Sequence, residues 1–194
     1  MAGVRSIYGA TKFAAELLIQ EFADAYGFRY AINRCGLIAG PWQMGKADQG
    51  VVTFWLAAHH FERPLRYIGF GGEGKQVRDI LHVDDLAELI AMQAGCMKQF
   101  DRQVLNVGGG LEFSLSLCEL TSLCEELTGK KIAIGSEATE RRADLRVYVT
   151  DNRKIEENYK WNPARNPGTV LHDVSNWIRS NESQVVDSLF GPLV

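Results

Sequence analysis

A tyrosine and a lysine lie one helical turn apart in Ser6-Ile7-Tyr8-Gly9-Ala10-Thr11-Lys12. The apolar residues that follow, Phe13, Ala14, Leu17, Leu18 and Phe22, recur at helical spacing and predict a helix that closes at Gly27. On that helix Tyr8 and Lys12 share a face. An ammonium beside a phenol favours the phenolate and lowers its pKa from an ordinary value near ~10. The phenol then becomes a usable base near neutral pH. Such a pair is a common pattern, most often a core tyrosine beside a solvated lysine, so its chemistry depends on the rest of the chain.

Two further stretches carry cations. Gly69, Gly71, Gly72 and Gly74 crowd into a few positions and are followed by Lys75, Gln76 and Arg78. Glycines let a backbone come close to a ligand, and an arginine suits bidentate phosphate contacts. This is no Gly-x-x-x-x-Gly-Lys-Ser/Thr phosphate loop, because Gln76 follows Lys75. Asp79 reads as structural, fixing Arg78. Farther on, Arg141, Arg142 and Arg146 form a charge run whose usual reading is a solvated face. His59-His60 is a poor metal site, since adjacent residues on a helix point apart.

The elements that must position these groups alternate between strand and helix. Tyr30 and Ile32 alternate with polar neighbours, as in a strand, and the Gly36–Trp42 segment is a turn-rich loop. In an open α/β sheet ligands sit beyond the carboxyl ends of strands, so this loop is a candidate site wall. A helix is expected over 51–59, with Phe54 and Trp55 in the core. Asp84 reads as the N-cap of a helix over 85–94. A strand at 103–107 leads into Gly108-Gly109-Gly110. Ser116 and Glu119 form a capping box for a helix that stops at Gly129. An edge strand is expected at 131–134, a strand and then a capped helix from Val147, an amphipathic helix near 169–178, and a frayed tail to Val194.

The composition is that of a globular chain: 194 residues, 46% hydrophobic and 23% charged, with a formal net charge of −3. Such a balance gives no reason to expect nucleic acid or an anionic membrane as partner. No segment has the length or apolarity of a membrane span. Cys35, Cys96, Cys118 and Cys124 lack Cys-x-x-Cys spacing and read as reduced thiols of a cytoplasmic protein.

The string Tyr8-Gly9-Ala10-Thr11-Lys12, with Ala14-Ala15 after it, resembles the catalytic helix of the extended short-chain dehydrogenase/reductase family, the NAD-dependent sugar-nucleotide epimerases and dehydratases. The stretch from Gly74 to Asp85 resembles that family's second landmark, and Glu140 to Asp151 a third. The resemblance implies Tyr8 and Lys12 as catalytic residues that also bind cofactor, with Arg34, Cys35 and Gly36 against the nicotinamide. It implies substrate contacts from Gln49, Tyr67, Gly69, Gln76, Arg78, Arg141 and Arg146. Where the family's third landmark carries Pro-Gly, this chain has Arg142-Ala143. The strings Asp48–Val52, Gly74–Asp79, Ser114–Leu117 and Asp144–Asp151 are most similar to the family's CDP-sugar 2-epimerases. That likeness implies a CDP-linked dideoxyhexose inverted at C2 through a transient ketone. Other nucleotide-sugar 4-epimerases or 4,6-dehydratases, and a non-catalytic nucleotide-sugar binder, are the alternatives. The family is often dimeric through the Tyr–Lys helix, so a homodimer through Phe13, Leu17 and their neighbours is expected.

No Gly-x-x-Gly-x-x-Gly follows a strand anywhere in the chain. The family binds NAD mainly through that motif. The resulting expectation is a C-terminal portion of a Rossmann-type doubly wound sheet plus a small α/β substrate-binding domain, in a truncated form with impaired NAD binding. Residues 1–45 would be the Rossmann remnant and 46–180 mainly the substrate domain with segments returning to the sheet. Residues 181–194 would be a tail.

Overall fold

The computed structural model describes residues 6–45, 50–139 and 144–191. In chain order the first elements are α1 (Ile7–Tyr26), β1 (Ala31–Cys35), β2 (Leu37–Ala39), α2 (Val51–His60), β3 (Leu65–Ile68), β4 (Val77–His82), α3 (Val83–Gly95), α4 (Met97–Phe100) and β5 (Gln103–Val107). There follow β6 (Ser114–Ser116), α5 (Leu117–Thr128), β7 (Ile134–Glu137), β8 (Val147–Tyr148), α6 (Arg153–Tyr159), α7 (Pro167–Ser180) and α8 (Glu182–Phe190). Helices alternate with strands that pair mostly in parallel, the pattern of an α/β chain.

Local signals explain the helix ends. The Ser6 hydroxyl accepts from the Gly9 N–H, and Gly27 closes α1 in the left-handed conformation. Ser116 and Glu119 complete a capping box at α5, and Gly129 ends it. The cap expected of Asp84 belongs instead to His82, whose Nδ1 accepts from the Asp84 N–H at 3.0 Å, so α3 begins at Val83. The expected edge strand at 131–134 is displaced: β7 starts at Ile134 and, among the described residues, pairs only with β3. The expected tail is a helix, α8, because Val185 and Val186 bury themselves against the body.

Strand β1 pairs in parallel with β5, Ala31 opposite Gln103 through Cys35 opposite Val107. A second sheet sets β4 between β2, parallel, and β6, antiparallel, with β8 alongside. Alternate side chains of β4 serve different cores. Ile80 enters the cluster of Trp55, Leu56, Leu120, Val170, Val174 and Ile178. Leu81 enters the cluster of Leu89, Phe100, Leu105, Val107 and Ile155. Asp85, nearly fully buried, ties α3 to the segment before α7: it accepts from the Ala164 and Arg165 N–H groups at 3.1 and 3.0 Å and from the Arg165 guanidinium at 2.5 Å.

Helix α1 stands apart. Only Ala23 of it is buried, while Phe13, Leu17, Leu18 and Phe22 are exposed. Ion pairs from Glu16 to Arg34 and from Asp24 to Arg102 tie it down.

Glycines mark the tightest packing. A Cβ on Gly109 would lie 2.2 Å from the Ile80 carbonyl oxygen, whereas one on Gly95, in α3, meets nothing within 4 Å. Gly109→Ala is therefore expected to destabilise the fold by roughly 1–3 kcal/mol. Gly95→Ala is expected to be neutral or to stabilise by about 0.5–1 kcal/mol. Denaturant melts of the two variants check this, and equal midpoints would contradict it.

Candidate active site

A cavity of about 510 Å³ opens between α2, β3, β4 and the β6–α5 junction. Trp55, Leu65, Ile80, Leu117 and Leu120 make its floor apolar. Gln76, Arg78 and Ile80 all line it, the every-second-residue pattern of one strand face. Arg66 and Asp144 add charge at its wall. An apolar cleft with a few placed polar groups is the usual form of a small-molecule site.

Arg78 is the best-anchored cation here. Its Nη1 donates to the Val77 carbonyl and its Nη2 to Asp144 Oδ1, both at 2.7 Å. Asp144 Oδ1 also accepts from the Leu145 N–H at 2.9 Å. Asp79, expected to fix Arg78, points the other way as strand alternation requires. It is fully buried and accepts from the Gly110 N–H at 3.1 Å. Asp144 was hidden in the charge run read as a solvated face; nothing local in sequence pairs it with an arginine 66 residues away.

Around this cavity Gln76 hands its Nε2 hydrogen to the Ile68 carbonyl at 3.3 Å, tying β3 to the start of β4. Tyr67 stacks on Trp55 with ring centroids 5.8 Å apart and shares a 2.8 Å hydrogen bond with Thr121. Burial pushes the Tyr67 phenol above its ordinary pKa. Trp55 donates its indole N–H to the same Thr121 hydroxyl at 2.9 Å, so Trp55 is both core and cavity floor. Gly74, at φ 68°, lies against the Tyr67 ring, where a Cβ would come within 2.8 Å. Gly69 donates to the Glu137 carbonyl at 2.8 Å and sets the end of β3. The Arg146 side chain is exposed, and its carbonyl accepts from the Val77 N–H. Gln49 and Arg141 lie outside the described residues.

Tyr8 and Lys12 are not on this cavity. They sit on α1 with Lys12 Nζ 5.4 Å from the Tyr8 ring centroid, and the tyrosine is exposed. The facing relation predicted from their spacing holds. Arg34, at the end of β1, spends its guanidinium on Glu16, with contacts of 2.6–3.2 Å. That hydrogen-bonded carboxylate raises its pKa further. Cys35 is half-buried, and burial pushes its thiol above the ordinary value. Gly36 donates to the Val107 carbonyl at 2.8 Å. Its missing side chain makes room for Thr150 and Asp79. All four cysteines are free thiols. No group of side chains among the described residues could hold a metal ion, and no helix among them is long and apolar enough to cross a membrane.

Residues 3–108 match the NAD dependent epimerase/dehydratase family. The chain belongs to that family, whose members are enzymes. It is 29% identical over 181 residues to CDP-paratose 2-epimerase of Salmonella typhi, covering 90% of this chain and 52% of the relative. It is also 29% identical over 178 residues to UDP-glucuronate 4-epimerase of Thermodesulfobacterium geofontis, covering 91% and 51%. Among solved structures, UDP-glucose 4-epimerase of Thermotoga maritima with UDP-glucose superimposes with a TM-score of 0.74 at 27% identity, over 90% of this chain and 54% of that one. The chain thus spans about half the length of the curated relatives it matches.

These findings correct three expectations. The family match takes in α1 and β1 to β5, so the family's NAD-dependent domain is present in the N-terminal part of the chain rather than absent from it. For the same reason β1 to β5 are the strands of the family's Rossmann-type sheet, onto which β6 and β8 pair from beyond the match, and not a C-terminal remnant of one. The reading as a truncated CDP-sugar 2-epimerase with impaired NAD binding falls with them. The CDP-sugar relative is no more identical than a UDP-sugar 4-epimerase, and other matched relatives are 4-epimerases and 4,6-dehydratases.

The thiols give a direct check on burial. Cys96 is exposed, Cys35 half-buried and raised, Cys124 buried and raised further. Because the thiolate is the reactive form, iodoacetamide at pH 8 should alkylate Cys96 at least about tenfold faster than Cys35, with Cys124 last. Peptide mass spectrometry over time reads the order, and fast labelling of Cys35 would contradict its burial.

Proposed function

We propose that this protein is an NAD-dependent epimerase of a nucleotide sugar, a UDP-linked hexose being favoured, acting at sugar C4. The observation that carries the reading is Arg78 held at the wall of an apolar cavity in a chain that also presents a Tyr–Lys pair on one helix face. The base and ribose would occupy the apolar cavity. Arg78 would take the diphosphate, since a guanidinium offers planar, bidentate donors to phosphate oxygens. Gln76, Tyr67, Gly69 and Arg146, together with Gln49 and Arg141, complete the proposed substrate contacts.

The donor set on α1 fits the ribose end of NAD: an exposed ammonium and a phenol one turn apart can both reach a diol. The backbone at Arg34, Cys35 and Gly36 lies at the carboxyl end of β1, where open α/β sheets bind ligands. Bound NAD would supply a place for the hydride leaving the sugar carbon and for its return to the opposite face. Tyr8, as phenolate, takes the proton from the hydroxyl on that carbon and later gives it back. Lys12 holds the negative charge of the phenolate and donates to the ribose. Nothing is oxidised overall, because hydride and proton both return.

A 4,6-dehydratase is the second reading, supported by relatives such as dTDP-glucose 4,6-dehydratase of Mycolicibacterium smegmatis. The exposed apolar face of α1 supports pairing of two copies through that helix.

Calorimetric titration with UDP-glucose is expected to show saturable binding that Arg78→Ala weakens about tenfold or more. Equal affinity in both would overturn the role of Arg78. With NAD present, the product is expected to be the C4 epimer; a product lighter by one water would favour the dehydratase. Tyr8→Phe is expected to lower turnover at least ~100-fold while leaving UDP-glucose affinity within about twofold. Lys12→Ala is expected to weaken NAD binding. Unchanged turnover or unchanged NAD affinity would remove each residue from its role.

Sedimentation velocity tests the pairing: Leu17→Glu should shift a dimer to monomer, and a wild-type monomer at all concentrations would refute it.

A further inference from the structure

Three elements around the cavity meet at one hydroxyl. Thr121, on α5 and only 7% exposed, lies within hydrogen-bond reach of Trp55 on α2, Tyr67 on β3 and the Leu117 carbonyl one turn back on its own helix. The three distances are 2.9, 2.8 and 2.9 Å. An indole N–H can only donate and a carbonyl can only accept, while a hydroxyl has one proton and two lone pairs. All three contacts are made together in one way alone: Thr121 gives its proton to Leu117 and accepts from both the indole and the phenol. Burial raises the pKa of Tyr67, so the phenol keeps the proton that this arrangement asks of it. The two rings that converge on Thr121 also stack on each other, with 5.8 Å between centroids and 12° between planes. Each ring is thus fixed at its polar tip by the hydroxyl and at its face by the other ring. Trp55, Leu117 and Leu120 are walls of the cavity; Thr121 is not one of them.

We infer that Thr121 is a positioning residue for the cavity floor: by tying the Trp55 indole to α5 and β3 it holds a flat, donor-free surface that suits the planar base of a nucleoside. This rests on the proposed nucleotide-sugar reading and deepens it. The indole has spent its one polar hydrogen on Thr121, so what Trp55 offers a ligand is carbon alone. A planar, largely apolar group loses little on meeting such a surface, whereas a sugar hydroxyl would find no partner on the indole. Trp55 is 4% exposed, so the cavity meets only a small part of the ring, and the tilt of the ring sets the depth of the floor. An indole released from Thr121 would regain torsional freedom, which a ligand would then have to remove on binding. A released N–H would also need a new acceptor, and turning it toward the cavity would break the apolar floor. Thr121 acts through Trp55 and touches no ligand itself.

The test is calorimetric titration of wild type, Thr121→Val and Thr121→Ser with uridine and with UDP, well below the melting temperature of each. Valine keeps the shape of threonine and removes the hydroxyl. In Thr121→Val the dissociation constants of uridine and UDP should both rise about tenfold, by the same factor, because the floor meets the nucleoside that the two ligands share. Thr121→Ser restores the hydroxyl and should bring both to within about twofold of wild type. A folded Thr121→Val that melts earlier yet binds uridine as wild type does would make Thr121 a stability residue alone and overturn the inference. So would a loss confined to UDP. Should Thr121→Val not fold, wild type decides. The Trp55 indole N–H signal in proton NMR spectra, identified by its absence from Trp55→Phe, should shift on adding uridine and stay slow to exchange with solvent. A signal that ignores uridine, or exchanges freely, would overturn the inference equally. If wild type binds neither uridine nor UDP, the nucleotide-sugar reading fails, and the role of Thr121 fails with it.

Discussion

The structure depends on the two-residue period of β4. One face of this strand delivers Arg78 and Ile80 to the cavity and the first core; the other delivers Asp79 and Leu81 to buried surroundings. A one-residue slip would exchange these faces, driving the guanidinium in among Leu89, Phe100 and Leu105 and turning Asp79 toward the cavity. Register is pinned on several sides. Leu37 to Ala39 pair with Ile80 to His82, Ser114 to Ser116 with Val77 to Asp79, and Val147 and Tyr148 with Val77 and Arg78. A cation placed on such a strand depends on no long flexible loop for its position, and it inherits the rigidity of two cores.

The Tyr–Lys pair is built on the opposite principle. Helix α1 contributes one buried residue and is held mainly by ion pairs at Glu16 and Asp24. Exposed ion pairs contribute little to stability, so α1 is only lightly held to the body of the chain. Its apolar residues face outward, and burying them against another surface would release roughly 25 cal/mol for each Å² covered. The Tyr–Lys pair therefore sits on a lightly packed helix with an uncovered apolar face, and the cavity sits between well-buried elements.

Legibility in the sequence followed locality. The αL cap of α1 at Gly27, the capping box at Ser116 and Glu119 and the stop at Gly129 were readable because each is a contact within a few residues. The shared face of Tyr8 and Lys12 was readable for the same reason. The cap at His82 was not, because an imidazole nitrogen is an uncommon acceptor there and Asp84 fits the usual pattern. Helix α8 was read as a tail because it is only nine residues long, and its order comes from packing of Val185 and Val186. The ion pair of Arg78 with Asp144 and the clamp of Arg165 on Asp85 and Glu88 each join distant segments. Charge sequence alone gives no register for such pairs. Motif strings identified the family, but a missing glycine fingerprint misled the reading of which part of it the chain holds.

Arg78 illustrates why a binding cation is seldom left alone. A guanidinium cannot shed its proton, so partial burial must be answered by acceptors. Water would be one answer, but the cavity floor beside the guanidinium is apolar. The Val77 carbonyl and the Asp144 carboxylate stay, because one belongs to the strand and the other is fixed by its own backbone turn. A carboxylate also limits the net positive field of the cleft, so an anion without a nucleoside gains less there than one that fills the apolar floor under Trp55 and Leu120. The pairing that neutralises one side of the guanidinium thus also fixes its orientation at the cavity wall.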